Sequence, residues 1–193
     1  MIAFAKPDNI IALPQKSSEW YTPSRYIEAA REVMNGIDLD PASCEVANQT
    51  VKAERFYTKA ENGFTQPWFG NVWLNPPYGK LSNKSMLEVW IRRLIQCYKQ
   101  GDIKQAVLLA TTNIEAPWFS LLWEYPICFI DHEIRFGSPT GTRKCHLFGT
   151  TLTYLGSNEQ KFIDVFSKFG TIARRVSAPK QTVQPLSLRE VQA

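Results

Sequence analysis

The chain has no run of about eighteen apolar residues, which excludes a hydrophobic membrane-spanning helix. It has only two histidines, His132 and His146, and four cysteines, Cys44, Cys97, Cys128 and Cys145. Cys128, His132, Cys145 and His146 match no familiar zinc spacing, and adjacent Cys145 and His146 make joint tetrahedral ligation awkward, so no metal site is expected. The start, Met1 to Lys16, lacks the basic head, compact apolar core and small-residue cleavage site of a secretion signal. The chain is therefore expected to be cytoplasmic, with its cysteines as thiols. Internal repeats and a dividing linker are also missing.

What remains is an ordinary globular composition: 193 residues, 44% apolar, 12% aromatic and 21% charged. That length suits one domain with a real core. We expect it over residues 1–176, with an N-terminal extension at 1–18 and a loosely ordered, Gln-, Ser- and Pro-rich tail at 177–193. The net charge of +4 permits a polyanionic partner without demanding one.

Helical and strand patterns alternate, which points to an α/β fold. Tyr26, Ile27, Ala30, Val33 and Met34 form one helix face, entered at Thr22-Pro23-Ser24 and closed by Asn35-Gly36. Ile37 to Asp40 reads as a short strand, and Ala42 to Ala53 as weakly helical. Asn71 to Leu74 reads as a buried strand, stopped by two prolines that have no N–H to donate. An amphipathic helix follows through Met86, Val89, Trp90, Leu94, Cys97 and Tyr98, then a strand at Gln105 to Ala110. A short helix at Trp118 to Glu124, a strand at Ile127 to Ile130, a final strand at Gly149 to Leu155 and a last helix at Gln160 to Phe169 complete the expected order.

Open parallel sheets bind ligands beyond the C-terminal ends of their strands. Two strands here end in polar signals there: Asp40-Pro41-Ala42-Ser43 and Asn75-Pro76-Pro77-Tyr78. The Asn75 amide oxygen is an acceptor, and the prolines leave carbonyls with little donor competition. Two such acceptors converging on one amino group would orient its nitrogen outward, and Tyr78 supplies a ring to stack on a flat partner.

The second motif sits within a wider pattern: Trp20-Tyr21-Thr22-Pro23, Leu39-Asp40-Pro41-Ala42-Ser43, Ala47-Asn48, and Trp68-Phe69-Gly70-Asn71-Val72-Trp73-Leu74-Asn75-Pro76-Pro77-Tyr78-Gly79. In this order the pattern resembles the phage-type DNA N-6-adenine-methyltransferase (Dam) family, from about Glu19 to Leu155. The resemblance implies a Rossmann-like class I methyltransferase fold, with a mostly parallel sheet and an antiparallel strand near the C-terminus. It implies transfer of a methyl group from S-adenosyl-L-methionine (AdoMet) to the N6 amino group of adenine in DNA, on a base flipped from the duplex. Catalysis would fall to Asn75, Pro76, Pro77 and Tyr78. The cofactor would be held by Tyr21, Thr22, Pro23, Asp40, Pro41, Ala42, Ser43 and Asn62. A phage or prophage setting is part of the same implication.

Lys80 and Lys84, just past the catalytic loop, and Arg135, Arg143 and Lys144, around a Gly/Pro-rich loop, are candidates for DNA backbone contact. The chain departs from the pattern in three ways. It has no glycine-rich turn after the first strand. It has no acidic ribose-binding residue ending a second strand, unless Glu54 or Glu61 serves. It has no separate target-recognition domain, so sequence preference falls to loops. The rival readings are a methyltransferase acting on a glutamine amide in protein or on RNA, and a non-catalytic nucleic-acid-binding relative.

Overall fold

A computed structural model describes residues 19–81, 84–139, 141–144 and 149–175; of 80, 81, 84 and 142–144 it describes the backbone alone. The expected extension at 1–18 and the expected tail at 177–193 lie outside these residues.

The elements run α1 (Ser24–Met34), β1 (Leu39–Asp40), α2 (Glu45–Val51), β2 (Arg55–Phe56), β3 (Gly70–Leu74), β4 (Lys80–Leu81) and β5 (Lys84–Ser85). They continue as α3 (Met86–Gln100), β6 (Ile103–Thr111), a 3-10 turn (Phe119–Glu124), β7 (Ile127–Ile130), β8 (Arg135–Ser138), β9 (Gly141–Lys144), β10 (Thr150–Leu155), α4 (Glu159–Phe166) and β11 (Gly170–Ala173). Seven strands form one sheet in the order β11-β7-β10-β6-β3-β1-β2, while β4–β5 and β8–β9 are separate hairpins.

Alternation along the central strands makes the protein three layers deep, because successive side chains leave a strand on opposite faces. Trp73, Val107 and Leu109 face α1 and α4 in one core, with Tyr26, Ile27, Val33 and Phe162. Val72, Leu74, Ala106 and Leu108 face α3 and the 3-10 turn in the other, with Trp90, Ile91, Leu94 and Phe119.

The sheet is less parallel than expected. β2, β1, β3 and β6 pair in parallel. β6, β10, β7 and β11 pair antiparallel, so the main sheet has three pairings of each kind among the described residues. The difference comes from β11, which follows α4 after only a three-residue turn and folds back along β7, Gly170 opposite Ile130. Its short Gly-Thr-Ile-Ala run carries little strand signal, and the expected last helix ends at Phe166 instead of Phe169. β2 is also absent from the expected order; it is two residues long and not buried. Five strands (β1, β2, β3, β6 and β7) end on the same edge, and both hairpins arise there, from the chain that follows β3 and β7.

Tyr154 ties the second half together. Its buried hydroxyl donates to Gln105 Oε1 at 2.7 Å and accepts from the Asn158 N–H at 3.1 Å, at the entry to α4. Tyr154→Phe strands both partners, and is expected to cost about 1–3 kcal/mol, read as a lower Tm with an unchanged circular dichroism spectrum.

Candidate functional site

Parallel pairing of β1 with β3, Leu39 beside Val72, brings the two polar strand ends together. Asn75 lies two residues beyond the level of Asp40, so their Cα atoms are separated by roughly 8 Å, from the rise per residue and the strand spacing.

Asp40 is 3% exposed. It does not cap the following helix: the N-cap of α2 is Cys44, whose Sγ accepts from the Ala47 N–H. Asp40 instead closes an Asx turn, its Oδ1 accepting from the Ala42 N–H at 3.2 Å. Burial pushes its pKa up to about 7, with the nearby Ser43 hydroxyl and the Ala42 N–H opposing. The Ser43 hydroxyl is close enough to favour the carboxylate but does not reach hydrogen-bond geometry, and its oxygen is buried without a partner. The site thus keeps a buried carboxylate with no cation beside it among the described residues.

The loop is held in place from outside. A Cβ on Gly63 would stand 1.9 Å from the Pro41 carbonyl oxygen, so only glycine allows the 58–66 turn to press against it. The Trp68 indole N–H donates to the Gly63 carbonyl and fixes the same contact. This brings the neighbouring Asn62, exposed and left-handed at φ 54°, to the loop that follows β1. Glu61 accepts from the backbone N–H and the hydroxyl of Thr58 and pairs with Arg55, bonds that lower its pKa; it is engaged in the turn. Asn48 is likewise structural, its amide spanning the backbone of Ala53.

Asn75 carries the least expected geometry. Its Nδ2 donates to the Trp20 carbonyl at 3.0 Å and to Thr22 Oγ1 at 3.4 Å. A carbonyl can only accept, so this contact also sets which end of the amide is nitrogen. The Oδ1 is left buried and without a partner. Pro76 is buried, Pro77 exposed, and Tyr78 37% exposed at the outer end of the motif.

The segment Trp20–Thr22 therefore straps the site. Tyr21 pairs antiparallel with Gly137 of β8, through two backbone hydrogen bonds of 2.8 Å. Trp20 packs edge-on against Phe136, ring centroids 5.6 Å apart. The Tyr21 side chain lies beside the Cys44 thiol, and partial burial followed by that thiol raises its pKa. Thr22 was expected as a helix cap; α1 has no side-chain cap, and the Thr22 hydroxyl points at Asn75 instead. Pro23, expected in the cofactor wall, lines a groove of about 510 Å³ with Ser24, Arg25, His132, Glu133 and Arg135. Neither this groove nor one along Glu28, Arg31, Glu32, Asn35, Gly36 and Lys161 is lined by Asp40 or Asn75.

Of the expected backbone-contact residues, Arg135 is exposed on β8, and Arg143 and Lys144 stand on β9 opposite Phe136 and Arg135. Lys80 and Lys84 stand on the β4–β5 hairpin that follows Tyr78. Cys128 is a buried thiol donating to the Phe166 carbonyl, its pKa pushed up to about 12 by burial. Cys145 and His146 lie outside the described residues.

Sequence reasoning missed the Trp20 carbonyl, Gly63 and Gly137, which act through backbone contacts between segments distant in the chain. Only Gly63 carried a local signal, as the turn Asn62-Gly63.

The layered α/β architecture gathers these acceptors at the strand ends, the edge where open α/β sheets bind their ligands. The chain belongs to the DNA N-6-adenine-methyltransferase (Dam) family, whose family model matches residues 12–151. The match spans the strap, both polar strand ends and both hairpins, and stops within β10. No curated protein and no solved structure matches the chain. Membership points to DNA adenine methylation as the general activity. Among the described residues no helix is long and apolar enough to cross a membrane.

The Asp40 pKa makes a stability prediction. Folded, the group titrates near 7 against an ordinary value of 3.8, so across that window the folded chain holds a proton that the unfolded chain has released. Stability then falls as pH rises from about 4 to about 7 and levels above. In thermal melts of the free chain, the Tm of Asp40→Asn relative to wild type is expected to climb between pH 5 and pH 8; a constant difference refutes the assignment.

Proposed function

We propose that the protein transfers the methyl group of AdoMet to the N6 amino group of adenine in DNA, with Asn75 Oδ1 as the acceptor that grips the target amine. The observation that carries this is the Asn75 amide: nitrogen tied to the strap, oxygen buried and unpartnered. A buried acceptor without a partner costs about 1–3 kcal/mol, a cost removed when an N–H donor arrives.

The residues around it fit the cofactor. A buried carboxylate without a cation, beside an unpartnered Ser43 hydroxyl, suits an amino-acid head with its ammonium. Asp40 and Ser43 would hold that head, with Tyr21, Pro41, Ala42 and Asn62 around it. When bound, AdoMet supplies a methyl group already activated by its sulfonium, so the protein's task is alignment. Asn75 Oδ1 would accept one N–H of the target amine, and the Pro76 carbonyl would accept the other. As nitrogen attacks the methyl carbon, the carbon–sulfur bond would break with its electron pair on sulfur, the neutral thioether would leave, and the extra proton on nitrogen would pass to solvent, while both oxygens stabilise the positive charge growing on nitrogen. Oδ1 is covered in the free chain, so the base reaches it only after neighbouring side chains move aside.

DNA is the fitting substrate for the surface around this edge. Lys80 and Lys84 on one hairpin and Arg135, Arg143 and Lys144 on the other flank the site, and the groove beside the strap adds Arg25. Glu133 shares that groove, but it already has a partner. A duplex base cannot reach a strand-end acceptor without leaving the stack, so base flipping accompanies this reading, with the partly exposed Tyr78 as the ring that would stack on the extruded base.

The protein incubated with labelled AdoMet and unmethylated DNA is expected to yield N6-methyladenine after digestion to nucleosides. Label in protein or RNA alone, or DNA retention without transfer, overturns the reading. Asn75→Ala is expected to lower kcat by ~10²-fold or more while AdoMet affinity changes little.

Asp40 adds a pH signature. An ammonium partner favours the ionised carboxylate, so AdoMet binding releases a proton below about 7. Affinity measured by calorimetry is expected to rise from pH 6 to pH 7.5, and Asp40→Asn to weaken binding and flatten that rise. A wild-type affinity independent of pH rules out the Asp40–ammonium contact.

A further inference from the structure

Resting on the reading of Asn75 above, we propose that Thr22 is a positioning residue for the transfer: with the Trp20 carbonyl it ties the Asn75 amide nitrogen, and through Tyr21 it links that amide to the β8–β9 hairpin.

Three consecutive residues are committed to this arrangement. Trp20 gives its carbonyl to Asn75 Nδ2 and its ring to Phe136. Tyr21 gives both backbone groups to Gly137. Thr22 gives its hydroxyl oxygen to Asn75 Nδ2 at 3.4 Å. The strap is thus joined to the hairpin by a single antiparallel bridge at Tyr21, and the Asn75 amide nitrogen is bonded to the residues on either side of it.

Thr22 is suited to this task. It is 8% exposed, so water does not compete strongly for its hydroxyl. Its β-branched side chain is stiff at χ1, which fixes where the oxygen points. It stands one residue before Pro23, the N-cap of α1, a helix with no side-chain cap bond. A hydroxyl at a helix entry ordinarily caps it, worth about 1 kcal/mol, and this one is turned to Asn75 instead.

Two contacts on one amide nitrogen do what one cannot. A single hydrogen bond to the Trp20 carbonyl lets the amide plane rotate about the bond. The second contact, from a different direction, removes that rotation and aims Oδ1. Displacement of a reacting group by about 1 Å can cost roughly 10²-fold in rate, so a loose amide lowers turnover without necessarily lowering affinity. The coupling also extends outward. Arg135 lies two residues from Gly137, and Arg143 and Lys144 stand on the partner strand, so a polyanion that shifts the hairpin also shifts the strap.

The test uses the full chain and three variants. Thr22→Val keeps the shape and removes the hydroxyl; Thr22→Ser keeps the hydroxyl. Gly137→Val places a Cβ 3.3 Å from the Tyr21 Cβ and pushes on the strap away from Asn75. Thr22→Val is expected to lower kcat roughly tenfold with the KM for AdoMet within about twofold, Thr22→Ser to restore most of the loss, and Gly137→Val to reproduce the kcat-selective defect. In ¹⁵N spectra, which need no turnover, the Asn75 side-chain amide protons, assigned by their loss in Asn75→Ala, are expected to exchange with solvent slowly in wild type and Thr22→Ser and faster in Thr22→Val and Gly137→Val.

Equal exchange in all four proteins overturns the proposal even if no methylation occurs. So does a raised KM for AdoMet at unchanged kcat, which makes Thr22 cofactor wall, or failure of Thr22→Ser to rescue. A wild-type chain that makes no N6-methyladenine but shows the expected exchange pattern defeats the functional reading and leaves the tie standing.

Discussion

The parallel contact between β1 and β3 is the constraint on which the site depends. Leu39 beside Val72 is a single register pair, yet it places a buried carboxylate and an unpartnered amide oxygen at one edge of the sheet. A one-residue slip would turn β3 over and exchange the cores served by Trp73 and by Val72 and Leu74. Register is therefore enforced by large apolar groups on both faces, and the polar strand ends inherit a position that packing defends. This division of labour lets a site contain groups that the fold does not satisfy.

Those groups oppose stability. A carboxylate whose pKa is pushed up to about 7 and acceptor oxygens buried without donors each raise the free energy of the unliganded chain. The two layers of apolar packing offset them. The chemistry of what is missing is specific: a cation beside Asp40 and an N–H donor beside Asn75. Under the function proposed above, a sulfonium amino acid would supply the first and an adenine amine the second.

Some of this was legible in the sequence for physical reasons. Asn75 and Asp40 were found because each follows a strand-like run and precedes a proline, so hydrophobic pattern and chain punctuation coincide. α1 and α3 were found because their apolar faces repeat at helical spacing, and each ends in a left-handed residue, Asn35 and Gly101. β2 and β11 were missed because short, half-exposed strands take their stability from neighbours rather than from their own side chains. The task of Thr22 was illegible for a sharper reason. Its local signal, a hydroxyl before a proline at a helix entry, is the signal of a cap, and only the tertiary approach of Asn75 diverts it.

The missing glycine-rich turn has a structural answer of the same kind. A turn after the first strand must keep its backbone compact and let another segment approach closely, and glycine usually supplies both within the turn. Here the compact turn is made by Asp40 itself, whose side chain accepts from the Ala42 N–H, while Pro41 restricts φ. The close approach is supplied from elsewhere, by Gly63, whose missing Cβ lets the 58–66 turn meet the Pro41 carbonyl. The steric requirement is met by a residue brought in by the fold, beyond the reach of any local motif. The arrangement also differs in charge: the usual turn presents N–H groups, whereas this one presents a carboxylate whose only N–H partner lies within the turn. Such an end favours the cationic part of a ligand over a phosphate, the preference that the proposed AdoMet site would need and that a nucleotide site on the same kind of sheet edge would not.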